Sequence, residues 1–267
     1  MDRKSIAGNT DTGSLKLIAL VFMMVDHAGK MLCGNMTEMR VLGRLAFPLY
    51  CWCAVVGMCY TKHPPKYILR VLLVGLVSQP INMLALNHTW TEPCVFLTLV
   101  LGLLALWGMR ESRWGSQVWM PVLAMCLAAW TGTDYGWRGV LLMILLYMAR
   151  GSRTAIAAVM IAMSLFWGST SSTVNSLFGV SFSEVFKLPG IGAILPSFLR
   201  LQGLMLLSLP LMLVRTPDVK RIRLPKWFGY GVYPAHLVVL YILELVMGCA
   251  QKYPVDLIQP ILKLFGV

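Results

Sequence analysis

Nine apolar runs, each near the length that crosses the hydrocarbon core of a bilayer, follow one another along the chain with only short polar connections. They fall at about 15–33, 41–60, 67–87, 93–109, 118–131, 137–149, 154–168, 188–214 and 228–250. Lipid offers no partners to backbone N–H and C=O groups, so runs of this length are expected to be helices. The fifth to seventh are short for a crossing, and the eighth carries Pro189, Pro196 and Arg200, which leaves eight to ten as the range. Hydrophobic residues make up 58% and charged residues 13%, with a mean hydropathy of +0.71, and no soluble globular domain has that balance. The expected fold is therefore all-α, a polytopic transmembrane helix bundle of about nine spans. Residues 1–267 form one domain, and residues 1–14 are expected to be a short cytoplasmic N-terminal segment.

The net charge of +12 is explained by where the basic residues fall. With the N-terminus in the cytoplasm, the inner flanks hold Arg3, Lys4 and Lys16, then Lys62, Lys66 and Arg70, Arg110 and Arg113, Arg150 and Arg153, and the cluster from Arg215 to Lys226. The outer connections, such as Asn87 to Glu92 and Gly132 to Tyr135, are acidic or neutral, as positive-inside topology requires. Nucleic acid is not needed to account for the charge and is not an expected partner. An odd number of spans puts the C-terminus outside a bacterial inner membrane. The first run is too long for a signal-peptide core, ends in Asp26, His27 and Lys30, and lacks a small-residue cleavage site. Most of the seven cysteines lie in spans and behave as small apolar residues; Cys33 and Cys94 both fall on the outer side, where a disulfide is open to them. Cys51-Trp52-Cys53 has no ligand partners at metal-binding spacing, and no metal is expected.

Asp26 and His27 stand inside the first run, where an ionisable side chain costs roughly 2.5–3.5 kcal/mol and is by default a candidate for chemistry or an ion path. Neighbours on a helix point about 100 degrees apart, so Asp26 shares a face with Lys30 and not with His27. The plainest reading of Asp26 is that it neutralises Lys30 at the outer interface. His27 has Met23 and Met31 four residues away, so its hydrogen bonds must come from another helix. At 1.5 Å per residue it lies roughly 18 Å into the run, beyond the midplane. A neutral imidazole there can accept a proton, and acyl transfer needs such a base together with donors for the tetrahedral oxyanion. Arg44, in Gly43-Arg44-Leu45-Ala46-Phe47-Pro48, is the candidate donor, with snorkelling to the headgroups as its plain alternative. His63 and His88 lie in connections and read as solvated. Further polar interruptions are Ser78-Gln79-Pro80, Asp134-Tyr135-Gly136 with Arg138, and Tyr233-Pro234-Ala235-His236-Leu237.

Taken in order, the run Leu15 to His27, Gly43 to Pro48, Ser78 to Pro80, Asp134 to Gly136 and Tyr233 to Leu237 resemble the TraX family across nearly the whole chain. That family includes the conjugative-plasmid protein that acetylates the N-terminus of F-type pilin in the inner membrane, and it is similar in pattern to a wider group of integral-membrane acyltransferases. The resemblance implies transfer of an acetyl group from acetyl-CoA to an acceptor amine or hydroxyl, with a pilin-like protein or a small molecule as acceptor and membrane lipids around it. On that reading His27 is the base, Asp26 orients the site, Arg44 binds the developing oxyanion and His236 completes the pocket. Gln79, Asp134, Tyr135, Arg138 and Tyr233 join as pocket candidates. Arg70 is one of the cytoplasmic basic residues expected to meet the anionic phosphates of the donor, with Lys62, Lys66 and the Arg215 to Lys226 cluster. The serine- and threonine-rich stretch from Gly168 to Phe186 reads chiefly as a connection. A proton-coupled carrier working through His27 and His236 is the rival, since broken helices and membrane histidines also mark transport paths.

Overall fold

The computed structural model describes residues 6–34, 36–89, 91–188, 190, 195–196, 199–215 and 226–247, with the backbone alone for 226–230. The C-terminus expected outside the membrane and the basic side chains from Lys220 to Lys226 lie outside the described residues. Helices dominate: α1 Thr12–Met31, α2 Thr37–Gly43, α3 Ala46–Tyr60, α4 Pro64–Leu86, α5 Val95–Glu111, α6 Ser116–Trp130, α7 Gly136–Ala149 and α8 Arg153–Gly168. There follow a two-residue hairpin, β1 Ser176–Leu177 against β2 Val180–Ser181, and a short α9 Ser183–Phe186. A 3-10 turn at Gly203–Ser208, α10 Leu209–Leu213 and α11 Lys226–Val246 complete the described chain.

Among the described residues, three segments are long and apolar enough to cross a membrane: Thr12–Met31, Thr37–Tyr60 and Pro64–Leu86. The helices α5 to α8 are shorter, and the eighth apolar run departs furthest from the expected single span. Its described residues give a 3-10 turn and a five-residue helix, consistent with Pro210 at the start of the latter. The described part of the N-terminal segment, from Ile6 onward, packs against the bundle. Asp11 caps α1 by accepting from Ser14 N at 3.1 Å, so the helix starts before the apolar run does. Ile6, Asn9 and Asp11 are buried, and Trp52 Nε1 donates to Asn9 O at 2.7 Å.

Proline placement explains the break between α2 and α3. Pro48 has no N–H for the carbonyl of Arg44 and its ring crowds that carbonyl, so the helix stops at Gly43 and restarts at Ala46. Beyond the break α3 is buried on every side: Leu49, Cys51, Trp52, Val55, Val56 and Met58 are fully enclosed. A helix apolar all round belongs at the centre of a bundle. The surrounding helices turn apolar side chains outward instead, as Leu69, Leu73, Leu76 and Val77 do on α4 and Val239, Ile242 and Leu243 on α11. Large exposed apolar faces of this kind suit lipid.

Connections bring the C-terminal ends of α1, α4 and α8 to the N-terminal ends of α3, α5 and α7. Lys30 meets His88, Gly43 lies against Asp26, Asp134 N donates to Pro93 O at 3.2 Å, and Tyr135 packs on Trp167. The opposite end gathers the N-terminal segment, where Ala7 N donates to Arg150 O and Asn9 N to Met212 O. Cys33 and Cys94 do not form the disulfide open to them in sequence: Cys33 is exposed and unbonded, and Cys94 Sγ is buried against Gly75 O.

Candidate functional site

A cavity of about 200 Å³ lies at the end where α1, α4 and α8 finish, and its walls come from almost every helix. Asp26, His27 and Lys30 come from the last turns of α1, and Arg40, Gly43 and Arg44 from α2 and its C-cap. Phe47 and Tyr50 come from the first turns of α3. His88, Asp134, Tyr135, Trp167, Gln202 and Tyr233 close the remaining sides.

Asp26 does not pair with Lys30. Its carboxylate accepts from Arg44 Nη2 at 3.2 Å through both oxygens and lies 2.9 Å from Arg40 Nε. Arg44 is turned inward, its side chain 14% exposed, so it does not snorkel to headgroups. Its Nε donates to Arg40 O and its Nη1 to Gln202 Oε1 at 3.3 Å. Both oxygens of one carboxylate share a single Nη2 hydrogen, so three of the five guanidinium N–H donors are engaged and two are spare. The approach that lets α2 reach Asp26 depends on Gly43, where a Cβ would fall on the Cβ, Cγ and Oδ1 of Asp26.

His27 finds its partner on α11, as its isolation on α1 required. Its Nδ1 lies 2.8 Å from His236 Nε2, and the two rings are parallel within 2°. His236 Nδ1 lies 3.1 Å from Val232 O, a pure acceptor, so that nitrogen carries the proton. A neutral His236 then accepts at Nε2, and His27 must donate from Nδ1. What remains on His27 is Nε2 with a free lone pair, on a residue that lines the cavity. His236, 4% exposed, stands behind His27 and does not form the wall expected of it. Tyr233 does line the wall, edge-on to His27, with its hydroxyl donating to Asn82 Oδ1 at 3.3 Å.

Asp134 and Tyr135 also reach the cavity. Tyr135 stacks on Phe47 with ring centroids 3.6 Å apart and meets Trp167 edge-on. Burial raises its hydroxyl above the ordinary phenol value. Asp134 lies deep among protein atoms yet keeps open surface, as a side chain standing in a cleft does. Crowding raises its carboxyl above the usual value, while His88, Arg44 and Lys30 pull it back.

Three expected pocket residues lie elsewhere. Gln79 braces α4 to α5: its Oε1 accepts from Cys94 N at 2.7 Å and its Nε2 donates to Glu92 O. Arg138 donates to Thr170 Oγ1 at 2.9 Å and lies over the Trp137 and Phe166 rings, tying α7 to α8. Arg70 is exposed near the start of α4, sixteen residues and about 24 Å from Leu86 at the cavity. The cavity in turn holds residues that sequence reasoning left out. Arg40 was detectable as the i−4 neighbour of Arg44. His88, read as solvated, accepts from Lys30 Nζ at 3.2 Å, and Asn82 lies 3.5 Å from its other nitrogen. Gln202 had no signal, because nothing local marks a glutamine in a broken run.

Three cations, Lys30, Arg40 and Arg44, face two carboxylates, Asp26 and Asp134. With a neutral acceptor nitrogen among them, the arrangement suits a reaction in which negative charge develops on oxygen while a proton leaves.

The profile of the family described as TraX protein matches residues 11–244. Among curated proteins, the chain is 28% identical to a probable fimbrial assembly protein, FimC of serogroup H1, of Dichelobacter nodosus, over 68% of this chain and 79% of that protein. It is 27% identical to an uncharacterized protein of Rickettsia prowazekii (strain Madrid E), over 52% of this chain and 56% of that protein. No solved structure matches.

Proposed function

The chain belongs to the TraX family, and on that premise we propose that it is an integral-membrane acetyltransferase that moves an acetyl group from acetyl-CoA to an acceptor amine or hydroxyl. The observation that carries this reading is the relay from Val232 O through His236 to His27, which leaves His27 Nε2 unprotonated at a cavity that also holds Arg44. In the transfer, His27 Nε2 takes the proton of the acceptor as its nitrogen or oxygen bonds to the thioester carbon. Negative charge grows on the carbonyl oxygen, toward the spare donors of Arg44 and the ammonium of Lys30. The carbon–sulfur bond then breaks, and His27 returns its proton to the departing thiolate. His236 holds the His27 tautomer and shares the positive charge that His27 carries between these steps. At about 200 Å³ the cavity suits the acyl group and the end of its carrier, with the nucleotide part of the donor outside it.

The fimbrial relative supports a pilin-like acceptor for this chain also. Nine passes through a bacterial inner membrane remain our reading of the topology. It is supported by the two-ended arrangement of helix termini and by the 3-10 turn with α10, which runs from Gln202 at the cavity to Met212 beside the N-terminal segment. With the N-terminus cytoplasmic, the cavity lies toward the outer leaflet, so the thioester arm of a cytoplasmic donor has to reach it through the bundle.

The test is transfer of labelled acetyl from acetyl-CoA by the purified protein in lipid, beside His27→Ala and His236→Ala, with pilin and generic amine or sugar acceptors supplied. We expect label in the acceptor with wild type, a loss of about 10²–10⁴ in rate with His27→Ala, and a smaller loss with His236→Ala. No turnover with any acceptor, together with solute counterflow in vesicles, would replace the enzyme by a carrier.

A further inference from the structure

At the end of the bundle opposite the cavity, a second pocket of about 540 Å³ opens between the last turns of α3, α5 and α7 and the start of α6. Arg110 and Arg150 line it, with Ser112, Gln117, Met109 and Met148. Arg110 Nη1 donates to Met58 O at 2.6 Å and to Thr61 O at 2.9 Å, and Arg150 donates to Tyr147 O with its guanidinium 3.9 Å above the Tyr147 ring. Each side chain is thus fixed by the carbonyls of a helix C-terminus, whose dipole favours a cation but leaves its full charge in place. Among the described residues neither guanidinium has a carboxylate within 4.0 Å, and Arg110 Nε is buried with no acceptor.

Arg150 is only 7% exposed, so bulk water does not solvate its charge, and an enclosed cation of this kind is costly unless an anion meets it. The remaining walls indicate which anion. Ser112 and Gln117 supply neutral polar groups, whereas Met148, 60% exposed on the outer face of α7, makes the rim apolar. Such a pocket suits a phosphate group attached to hydrocarbon. We propose that it binds the phosphate of an anionic phospholipid, with the guanidinium groups of Arg110 and Arg150 on the phosphate oxygens and the acyl chains running outward past Met148. Basic pockets between membrane helices are used in this way. The site is separate from the transfer cavity: Arg110 lies fifteen residues along α5 from Val95, about 22 Å, with the buried α3 between. It stands whether or not the protein is an acyltransferase.

The test is retention of labelled phosphatidylglycerol against phosphatidylcholine by the purified protein in neutral detergent. Wild type is compared with Arg150→Gln and with Gln117→Trp, which fills the pocket without removing a charge. The expected result is a clear preference for phosphatidylglycerol, reduced about five-fold by Arg150→Gln and abolished by Gln117→Trp. Each variant's melting profile is taken alongside, so that loss of fold is not read as loss of binding. Equal retention of the two lipids by wild type, or an unchanged preference in folded Gln117→Trp, would overturn the proposal. Displacement of the lipid by glycerol phosphate or coenzyme A at equal concentration would assign the pocket to a soluble phosphate instead.

Discussion

Asp26 holds two guanidinium groups on one carboxylate in the cavity wall, and these neighbours give it a structural role. Removing its charge leaves Arg40 and Arg44 facing each other with the intervening anion gone. Breaking a fully buried pair costs about 3–5 kcal/mol, and the side chain of Asp26 is 15% exposed, so Asp26→Asn is expected to cost about 2 kcal/mol. Thermal unfolding in detergent should show a drop of about 4–8 °C; an unchanged midpoint would mean that the pair is held apart by other contacts. The need for a charge inside the first helix was legible in sequence, but its partner was not. A helical face pairs Asp26 with Lys30, whereas fourteen and eighteen residues on, the chain turns back and brings Arg40 and Arg44 nearer.

Two short elements set the cavity's shape, and each can be probed alone. The α2–α3 break delivers Gly43 against Asp26 so closely that no side chain fits there. Gly43→Ala is expected to force the helices apart at a cost of about 1–3 kcal/mol and to lower transfer activity along with stability, because Arg44 moves with α2. Full activity in a normally folded Gly43→Ala protein would show that the close approach at Gly43 is not what places Arg44. The α4–α5 connection carries His88, whose imidazole is pushed below its ordinary 6.5 by burial and then by the Lys30 ammonium. A histidine with a lowered folded value stabilises the fold above its unfolded value and loses that contribution as pH falls through the folded one. Stability should therefore decline below about pH 6.5, as a protonated His88 comes to repel Lys30, and His88→Gln should flatten that decline. Parallel melting curves for the two proteins from about pH 8 to about pH 5 measure it; curves that fall together would remove His88 from the account.

The two ends of the bundle differ in chemistry, with the cavity of Asp26 and His27 at one and Arg110, Arg150 and Arg153 at the other. Cys33 follows α1 at the cavity end and is exposed, which makes the orientation measurable. In a variant whose only cysteine is Cys33, a membrane-impermeant maleimide should label intact spheroplasts; labelling only after lysis would reverse the topology and put the cavity on the cytoplasmic side. Local chemistry made the helical class, most helix limits, the broken second span at Pro48 and the candidacy of His27, Asp26 and Arg44 readable before any fold was known. Apolar length, proline stereochemistry and the cost of charge in lipid act over a few residues and leave their mark in the order of the chain. The pairing of His27 with His236 across 209 positions, the departure of Gln79, Arg70 and Arg138 from the cavity and the arrival of His88 and Gln202 were not readable in that way. Which polar groups meet depends on how helices rotate and stack around α3, and that follows from packing summed over the whole bundle rather than from any one stretch of residues.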